Sequence, residues 1–183
     1  MKEIEVKVKI DKPQEILQKL EELGCKLSQP MTQNDVIFVP KGFTLGEDFK
    51  GGINFLRIRQ SQGRNILTLK QPQSNELDCI EKELDIDKPD DMIEILNLLG
   101  YEEAVRVNKT RIKCNYQDYE ICVDKVEGLG DFIETERLLE EDSGQSAEDI
   151  QEESFAFLKT LGVDKENRQE NGYDTLMYKK LNT

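Results

Sequence analysis

Several segments of the chain carry charged side chains at every second position. Residues 3–9 read EIEVKVK, so a β-strand would place Glu3, Glu5 and Lys7 on one face and only aliphatic side chains on the other. Carboxylates on such a face can bind divalent cations, and ammonium groups can bind phosphates. The segment therefore predicts either the wall of a polar cavity or a strand with one solvated face.

The same alternation recurs along the chain. For any single strand a solvated face is an adequate explanation, because antiparallel sheets commonly expose one face to water. In these segments the polar residues share one strand face: Arg57 with Arg59, Thr68 with Lys70, Glu81 with Glu83 and Asp85, Lys109 with Arg111, Glu120 with Cys122 and Asp124, and Glu134 with Glu136.

Three amphipathic helical segments favour the cavity as an explanation of the whole set. Each helix needs an apolar sheet surface to pack on, so the helices would cover the aliphatic face of the strands. If the strands close into a barrel, the charged face then points inward. The lumen would contain six basic side chains: Lys7, Arg57, Arg59, Lys70, Lys109 and Arg111.

A lumen with this charge content needs a compensating ligand. Buried like charges cost several kcal/mol each unless they are neutralised. The bases indicate an anion of high charge, for which arginines two apart on a strand suit bidentate phosphate contacts. The acids beside them indicate Mg²⁺ or Mn²⁺, which prefer oxygen ligands. A metal-bound triphosphate satisfies both requirements, and the absence of a GxxxxGK[ST] motif excludes a P-loop enzyme.

Other features of composition narrow the chemistry. The 183-residue chain contains no His, which removes Ser-His and Cys-His nucleophilic catalysis. Its four cysteines form no CxxC pair and are expected to be buried thiols in a reducing cytoplasm, although Cys114 and Cys122 could form a disulfide across a hairpin. The net charge of −13 disfavours nucleic acid and anionic membranes as partners. The sequence predicts neither a signal peptide nor a membrane span.

The chain contains an internal repeat with a shift of 76 residues. Residues 3–24 and 79–100 each consist of an alternating strand, the sequence IDKP, and an amphipathic helix that ends in Leu-Gly. A looser third copy covers residues 132–162, with its helix beginning near Ser146 or Ala147. We therefore expect one quasi-symmetric domain over residues 1–183.

The remaining pattern predicts hairpins. SQGR between two alternating runs is a hairpin signal, and residues 40–52 and 140–149 are predicted loops. With the repeat strands, this gives an α+β fold, a closed antiparallel β-barrel of about eight strands with three helices outside. The other predicted strands are residues 34–39, 53–60, 65–72, 107–116, 118–126 and 173–181.

The ordered motifs resemble the CYTH superfamily, the triphosphate tunnel metalloenzymes, and within it the class IV adenylyl cyclases. ExExK alone is a weak motif, but the ordered set covers nearly the whole chain. VEGLGDFIETE resembles the cyclase branch more than the thiamine triphosphatase branch. The motifs are Glu3–Lys7 (ExExK), 55–59 (FLRIR), 67–70 (LTLK), 81–84 (EKEL), 109–111 (KTR), 123–136 (VDKVEGLGDFIETE) and 171–178 (NGYDTLMY).

The resemblance implies a role for each lumen residue. It implies a tunnel open at both ends, a homodimer, and two Mg²⁺ or Mn²⁺ ions per site. Metal ligands would be Glu3, Glu5, Glu134 and Glu136, supported by Asp124. Phosphates would be bound by Lys7, Arg57, Arg59, Lys70, Lys109 and Arg111, and Glu81 and Glu83 would position the bases or contact the nucleotide. The segment between Val39 and Phe55 looks longer than in compact members, and it could cover a mouth of the tunnel.

Three functions remain open at the level of sequence. The first is cyclisation of ATP to cAMP and pyrophosphate, with Glu5, Glu134 and Lys7 at the catalytic centre. The second is hydrolysis of inorganic, nucleoside or thiamine triphosphate, with Lys7 as a base whose pKa neighbouring cations lower. The scarcity of aromatic residues near the motifs favours hydrolysis. The third is metal-independent binding of polyphosphate or a nucleotide, which the acids argue against.

Overall fold

A computed structural model describes residues 2–46, 52–139 and 144–182. Residues 47–51 of the predicted loop 40–52 and residues 140–143 of the loop 140–149 lie outside the described residues. The strands are β1 (Lys2–Ile10), β2 (Met31–Pro40), β3 (Phe55–Ser61), β4 (Arg64–Pro72), β5 (Asp78–Asp85), β6 (Tyr101–Tyr116), β7 (Tyr119–Val126), β8 (Gly130–Leu139) and β9 (Arg168–Gln169). The helices are α1 (Pro13–Glu22), α2 (Pro89–Leu98), α3 (Ala147–Thr160) and α4 (Tyr173–Leu181).

Eight of the strands form a closed antiparallel barrel. Their order is β5-β4-β3-β2-β6-β7-β8-β1, and β1 pairs with β5 through Glu3 and Cys79 to close the ring. The short strand β9 pairs with β1 as an addition to the ring. The predicted closed antiparallel barrel with outer helices is therefore confirmed.

The aliphatic face of the strands points outward and is covered by helices. Val8 of β1 and Ile133 of β8 are fully buried against residues of α1 and α3, including Leu20 and Leu158. A second cluster joins Leu96 of α2 to β2 and β3. The hydrophobic core thus lies between barrel and helices, which leaves the other strand face to the lumen.

The repeated strand–helix segments follow their local signals. Pro13 and Pro89 begin α1 and α2, where a missing N–H is not needed. Gly24 and Gly100 follow these helices with φ of +85°, a conformation that favours glycine. The helix α3 begins at Ala147, as predicted, with Ser146 as N-cap in a capping box.

The prediction of a strand at residues 173–181 is wrong, because this segment forms α4. Its buried residues Tyr173, Thr175 and Met177 alternate, which imitates a strand. The helix is favoured by Asp174 in its first turn and by lysines in its last turn, which match the helix dipole. Tyr173 and Met177, one turn apart, pack on the same cluster of β2 and β6 side chains. The described chain therefore has four α-helices rather than three.

The four cysteines are free and buried. Cys114 lies in the outer core, whereas Cys122 is paired with Lys113 and not with Cys114 across the β6–β7 ladder. The two sulfur atoms are on opposite faces of the sheet, so the disulfide alternative is wrong. Among the described residues, no helix combines the length and apolar character needed to cross a bilayer.

Ile133 provides a test of the outer core. Its side chain is completely buried between β8 and the helices. We expect Ile133→Ala to lower the free energy of unfolding by about 2–5 kcal/mol, because it leaves a cavity, and Ile133→Val to lower it by about 0.5–1.5 kcal/mol. Urea denaturation of both variants measures this, and equal losses would contradict the assignment of this face to the core.

Candidate functional site

The inner face of the barrel brings all the predicted site residues together. One cavity of about 100 Å³ is lined by Glu5, Lys7, Arg57, Arg59, Lys70, Lys109, Arg111, Glu134 and Glu136. A second cavity, toward the opposite mouth, is lined by Glu3, Arg57, Arg59, Lys70, Glu81, Glu83, Arg111 and Glu136. Because the two cavities share residues, they are two ends of one tunnel. Asp124 is buried behind the first cavity, against Lys109 and Arg111.

Strand register places opposite charges directly across from each other. The ladders pair Lys7 with Glu134, Arg111 with Asp124, and Lys70 with Glu81. All three pairs are also ion pairs between side chains. A slip of one residue would turn every one of these side chains to the other face, so the register is essential to the site.

Glu134 lies at the centre of the charge network. It accepts a hydrogen bond from Arg111, and Lys7 Nζ lies 3.2 Å from its Oε1. Burial alone would raise the pKa of Glu134, but the charges of Arg111, Lys7 and Lys109 outweigh it and hold the pKa well below its usual range. Glu134 is therefore ionised without a ligand.

The expectation that neighbouring cations lower the pKa of Lys7 is wrong. Burial does lower it, but the carboxylates of Glu5, with an oxygen 2.6 Å away, and Glu134 more than reverse this effect. The pKa of Lys7 is raised above its ordinary value, so Lys7 is charged and poorly suited to act as a base.

Asp124 holds two bases in place. Arg111 donates to both of its carboxylate oxygens, at 2.7 and 2.5 Å, and Lys109 donates to one of them at 3.2 Å. All three side chains are almost completely buried. In the described structure Asp124 therefore positions Arg111 and Lys109, and its support of the metal ions stays a prediction.

Lys109 is the lumen lysine with a lowered pKa. Burial and the charge of Arg111 reduce it to about 8, against the opposing effect of Asp124. Its Nζ lies 4.7 Å from the ring centre of Tyr173, and Lys7 Nζ lies 4.3 Å from the same ring. A lysine with this pKa is partly neutral near physiological pH and can accept a proton.

Sequence reasoning missed Asp35 and Tyr173 in the lumen. Asp35 accepts two hydrogen bonds of 2.7 Å from Arg59. Burial opposes the ionisation of Asp35, but these bonds and the charges of Arg59 and Arg57 lower its pKa to about 2. Its alternation with Val36, which packs against the outer core, was the available signal. Tyr173 was placed in a predicted strand, but it begins α4 and lines the tunnel, and its buried hydroxyl has no hydrogen-bond partner among the described residues.

Two carboxyl groups of β1, those of Glu3 and Glu5, have too few cations near them to offset their burial. Burial, and then the charges of Glu136 and Glu81, raise the pKa of Glu3 to about 10. The pKa of Glu5 is likewise raised, to about 7, by burial and by the charge of Glu134. Carboxylates that retain protons for want of a cation, with oxygen as the donor atom, fit Mg²⁺ or Mn²⁺.

The two mouths of the tunnel differ in character. Phe55, Leu56, Pro72 and Leu77 line one end together with the N-terminal turn of α4. The opposite mouth is lined by charged and polar groups, including Lys113, which lies 2.5 Å from Glu120 and which the sequence analysis did not assign to the site. One end can contact an organic group, and the other admits water.

Comparison with known proteins agrees with this geometry. The family model of the CYTH domain matches residues 1–173. A protein of Methanocaldococcus jannaschii named "Putative adenylate cyclase MJ0240" is 31% identical over 169 residues, which are 91% of this chain and 93% of that protein.

Solved structures share the fold. The PH1819 protein of Pyrococcus horikoshii is 28% identical, with a TM-score of 0.76 over 97% of this chain and 99% of that chain. A Hippeastrum protein described as a "putative adenylyl cyclase" with a dominant triphosphatase activity is 18% identical, with a TM-score of 0.60 over 93% and 90% of the two chains. The second likeness shows the fold alone.

Glu5 predicts an unusual pH dependence of stability. A carboxyl whose pKa rises on folding holds its proton more tightly in the folded state. Its stabilising contribution is complete below the ordinary pKa of 4.5 and is lost as the pH rises toward about 7. In EDTA, the melting temperature of the wild type should therefore fall between pH 5 and 7.5 more steeply than that of Glu5→Gln.

The exposed residue Glu94 provides the control for this measurement. Glu94→Gln should keep the pH dependence of the wild type. If Glu5→Gln and Glu94→Gln both show the same pH dependence of the melting temperature as the wild type, the pKa of Glu5 is not raised on folding.

Proposed function

Because the chain belongs to the CYTH domain family, we propose that its tunnel binds a triphosphate together with divalent cations and converts ATP to cAMP and pyrophosphate. The observation that carries this proposal is the combination within one lumen of paired bases, under-neutralised carboxylates and an apolar end. Inorganic triphosphate would use only the charged part. Phe55, Pro72 and Leu77 supply contacts that only an organic substituent can use.

The bases of the tunnel bind the phosphates in this mechanism. Both cavities are lined by Arg57 and Arg59 of β3 and by Lys70 of β4. These three bases therefore lie near the middle of the tunnel. Each is paired with an acid in the described structure. Phosphate oxygens would replace some of these carboxylate contacts and disperse the charge that develops on the phosphoryl group.

The carboxylates Glu3, Glu5, Glu134 and Glu136 would hold the metal ions, two per site. Mg²⁺ or Mn²⁺ bound there would supply Lewis acidity toward the reacting hydroxyl and the leaving pyrophosphate. Glu81 and Glu83 keep Lys70 and Arg57 oriented. Asp124 keeps Lys109 and Arg111 in position while Glu134 changes partners.

Lys109 is the group that we assign to proton transfer. The 3′-hydroxyl of ATP attacks the α-phosphorus in line, and its proton must leave as the new bond forms. Lys109, with a pKa of about 8, can take this proton, whereas Lys7 stays charged and binds a phosphate oxygen. This exchanges the roles that the sequence predicted for Lys7 and Lys109.

Hydrolysis of a triphosphate is the second candidate. The polar mouth, with Glu81, Lys113 and Glu120, would leave the terminal phosphate of a bound chain open to water. The Hippeastrum protein of the same fold is described with a dominant triphosphatase activity. Binding without turnover is a weaker alternative, since an anion-binding module gains nothing from carboxylates that compete with the anion for the bases.

The proposal also covers the cellular compartment, the oligomeric state and the binding partner. The four free thiols suit a reducing cytoplasm. The family resemblance implies a homodimer, and the net charge of −13 disfavours nucleic acid and membranes. The small-molecule triphosphate is thus the proposed partner.

Product analysis tests the proposed reaction. The purified protein is incubated with Mn²⁺ and either ATP or tripolyphosphate, and the products are separated by chromatography. We expect cAMP and pyrophosphate from ATP. Orthophosphate from either substrate without cAMP would refute the cyclase and support the triphosphatase, and metal-independent binding without products would refute both.

A matched pair of arginines tests the phosphate contacts. Arg57 lines the tunnel. Arg64, at the start of β4, instead makes an exposed ion pair with Asp85 of β5. Charge-assisted hydrogen bonds contribute about 1.5–3 kcal/mol, so Arg57→Ala should raise KM for the triphosphate roughly 10- to 100-fold. Arg64→Ala should leave KM within about twofold, because exposed pairs contribute little. Equal effects of the two substitutions would remove Arg57 from the site.

A further inference from the structure

The side chain of Tyr173 stands where the charged lumen meets the apolar end of the tunnel. Tyr173 is the first residue of α4 and lines the same cavity as Phe55 and Leu77. Its ring meets the ring of Phe132 of β8 edge-on, with the two ring centres 5.1 Å apart. Only 8% of the residue's surface is exposed. Tyr173 is therefore a buried part of the tunnel wall.

The hydroxyl of Tyr173 lacks a hydrogen-bond partner. Within the described ranges no group donates to it or accepts from it, and its oxygen is closed off from solvent. Buried polar groups nearly always have a partner in folded proteins, because burying one without a partner costs free energy. A phenylalanine would fill the same space without that cost. The unpaired hydroxyl therefore indicates a partner that enters with a ligand.

Two ammonium groups contact the ring of Tyr173. The Nζ atoms of Lys7 and Lys109 lie 4.3 and 4.7 Å from the ring centre, within the range of cation–π attraction. In the proposed function these two lysines serve the phosphates and the proton transfer. An anion bound between them lies within reach of the hydroxyl at the rim of the same ring.

The first turn of α4 is held in place from two sides. Glu76, between β4 and β5, accepts a hydrogen bond of 3.1 Å from the backbone N–H of Gly172, the N-cap of α4. Met177, one turn after Tyr173, packs on the apolar cluster of β2 and β6. The position of the hydroxyl is thus fixed before a ligand binds, which lowers the entropic cost of a contact with that ligand.

We propose that Tyr173 is a substrate-binding residue whose hydroxyl donates a hydrogen bond to the triphosphate, at an oxygen of the phosphate nearest to the organic group. The inference rests on the triphosphate-binding part of the proposed function. When phosphates replace carboxylates beside Lys7 and Lys109, one phosphate oxygen supplies the acceptor that the hydroxyl lacks. A phenol suits this place because, as a neutral donor, it adds no repulsion among the bases already in the lumen.

Calorimetry with two ligands tests this contact. In the presence of Mg²⁺, α,β-methylene-ATP and tripolyphosphate are each titrated into the full-length wild type and Tyr173→Phe, which keeps the ring. Hydrogen bonds to charged groups are strong, so the affinity for both ligands should fall roughly 10-fold or more. No loss for either ligand overturns the proposal. A loss for the nucleotide alone also overturns it, since the hydroxyl would then contact the ribose.

Tyr178→Phe is the matched control on the same helix. Tyr178 packs against the apolar cluster and is not among the described residues that line the cavity. Its substitution should change both affinities by less than about twofold. A loss equal to that of Tyr173→Phe would overturn the proposal, because the effect would then come from α4 as a whole.

The stability of the ligand-free protein separates binding from a structural role. Because the hydroxyl has no partner within the described protein, Tyr173→Phe should leave the melting temperature unchanged or raise it. A fall of more than about 2 °C would reveal a structural partner and overturn the proposal. Hydroxyl-dependent binding of both ligands in a protein that makes no cAMP would support the contact and refute only the cyclase. Formation of cAMP with undiminished affinity in Tyr173→Phe would refute only the contact, and a wild type that binds neither ligand would refute both proposals.

Discussion

The burial of many charges in one narrow lumen is the constraint on which the rest of the molecule depends. Lys7, Arg111, Asp124 and Glu134 are each almost fully shielded from water, and an unpaired charge there would cost several kcal/mol. Each therefore faces an opposite charge on the next strand. Only a closed barrel with a fixed register supplies these partners all round, and the outer helices hold that barrel in place.

Under the proposed function, the same pairing prepares the tunnel for a metal-bound triphosphate. The carboxylates paired with the bases would give way to phosphates, and the ammonium groups paired with the acids would give way to cations. A triphosphate with its metal ions brings both signs of charge at once, so acids and bases can change partners without leaving any charge uncompensated. Groups such as Glu3 and Glu5, with raised pKa values, mark where this internal pairing is incomplete.

Much of the fold and the lumen could be predicted from the sequence, because period-two alternation assigns each strand residue to a face locally. This was sufficient for Arg57, Lys70 and Glu134. It was not sufficient for the charge state of Lys7, which depends on burial, on Glu5 two positions away, and on Glu134, which only barrel closure brings near. The C-terminal helix was missed for a related reason. Its buried residues alternate because of the surface on which they pack, and Tyr173 was misassigned with it.

The account is tested most directly by a crystal structure of the protein with Mn²⁺ and a non-hydrolysable ATP analogue. Anomalous scattering should place Mn²⁺ roughly 2–2.5 Å from oxygens of Glu5, Glu134 or Glu136. The phosphates should lie between Arg57, Arg59 and Lys70, with the nucleoside toward Phe55 and Pro72. Metal and phosphates bound outside the barrel, with the acid–base pairs of the lumen unchanged, would contradict the account.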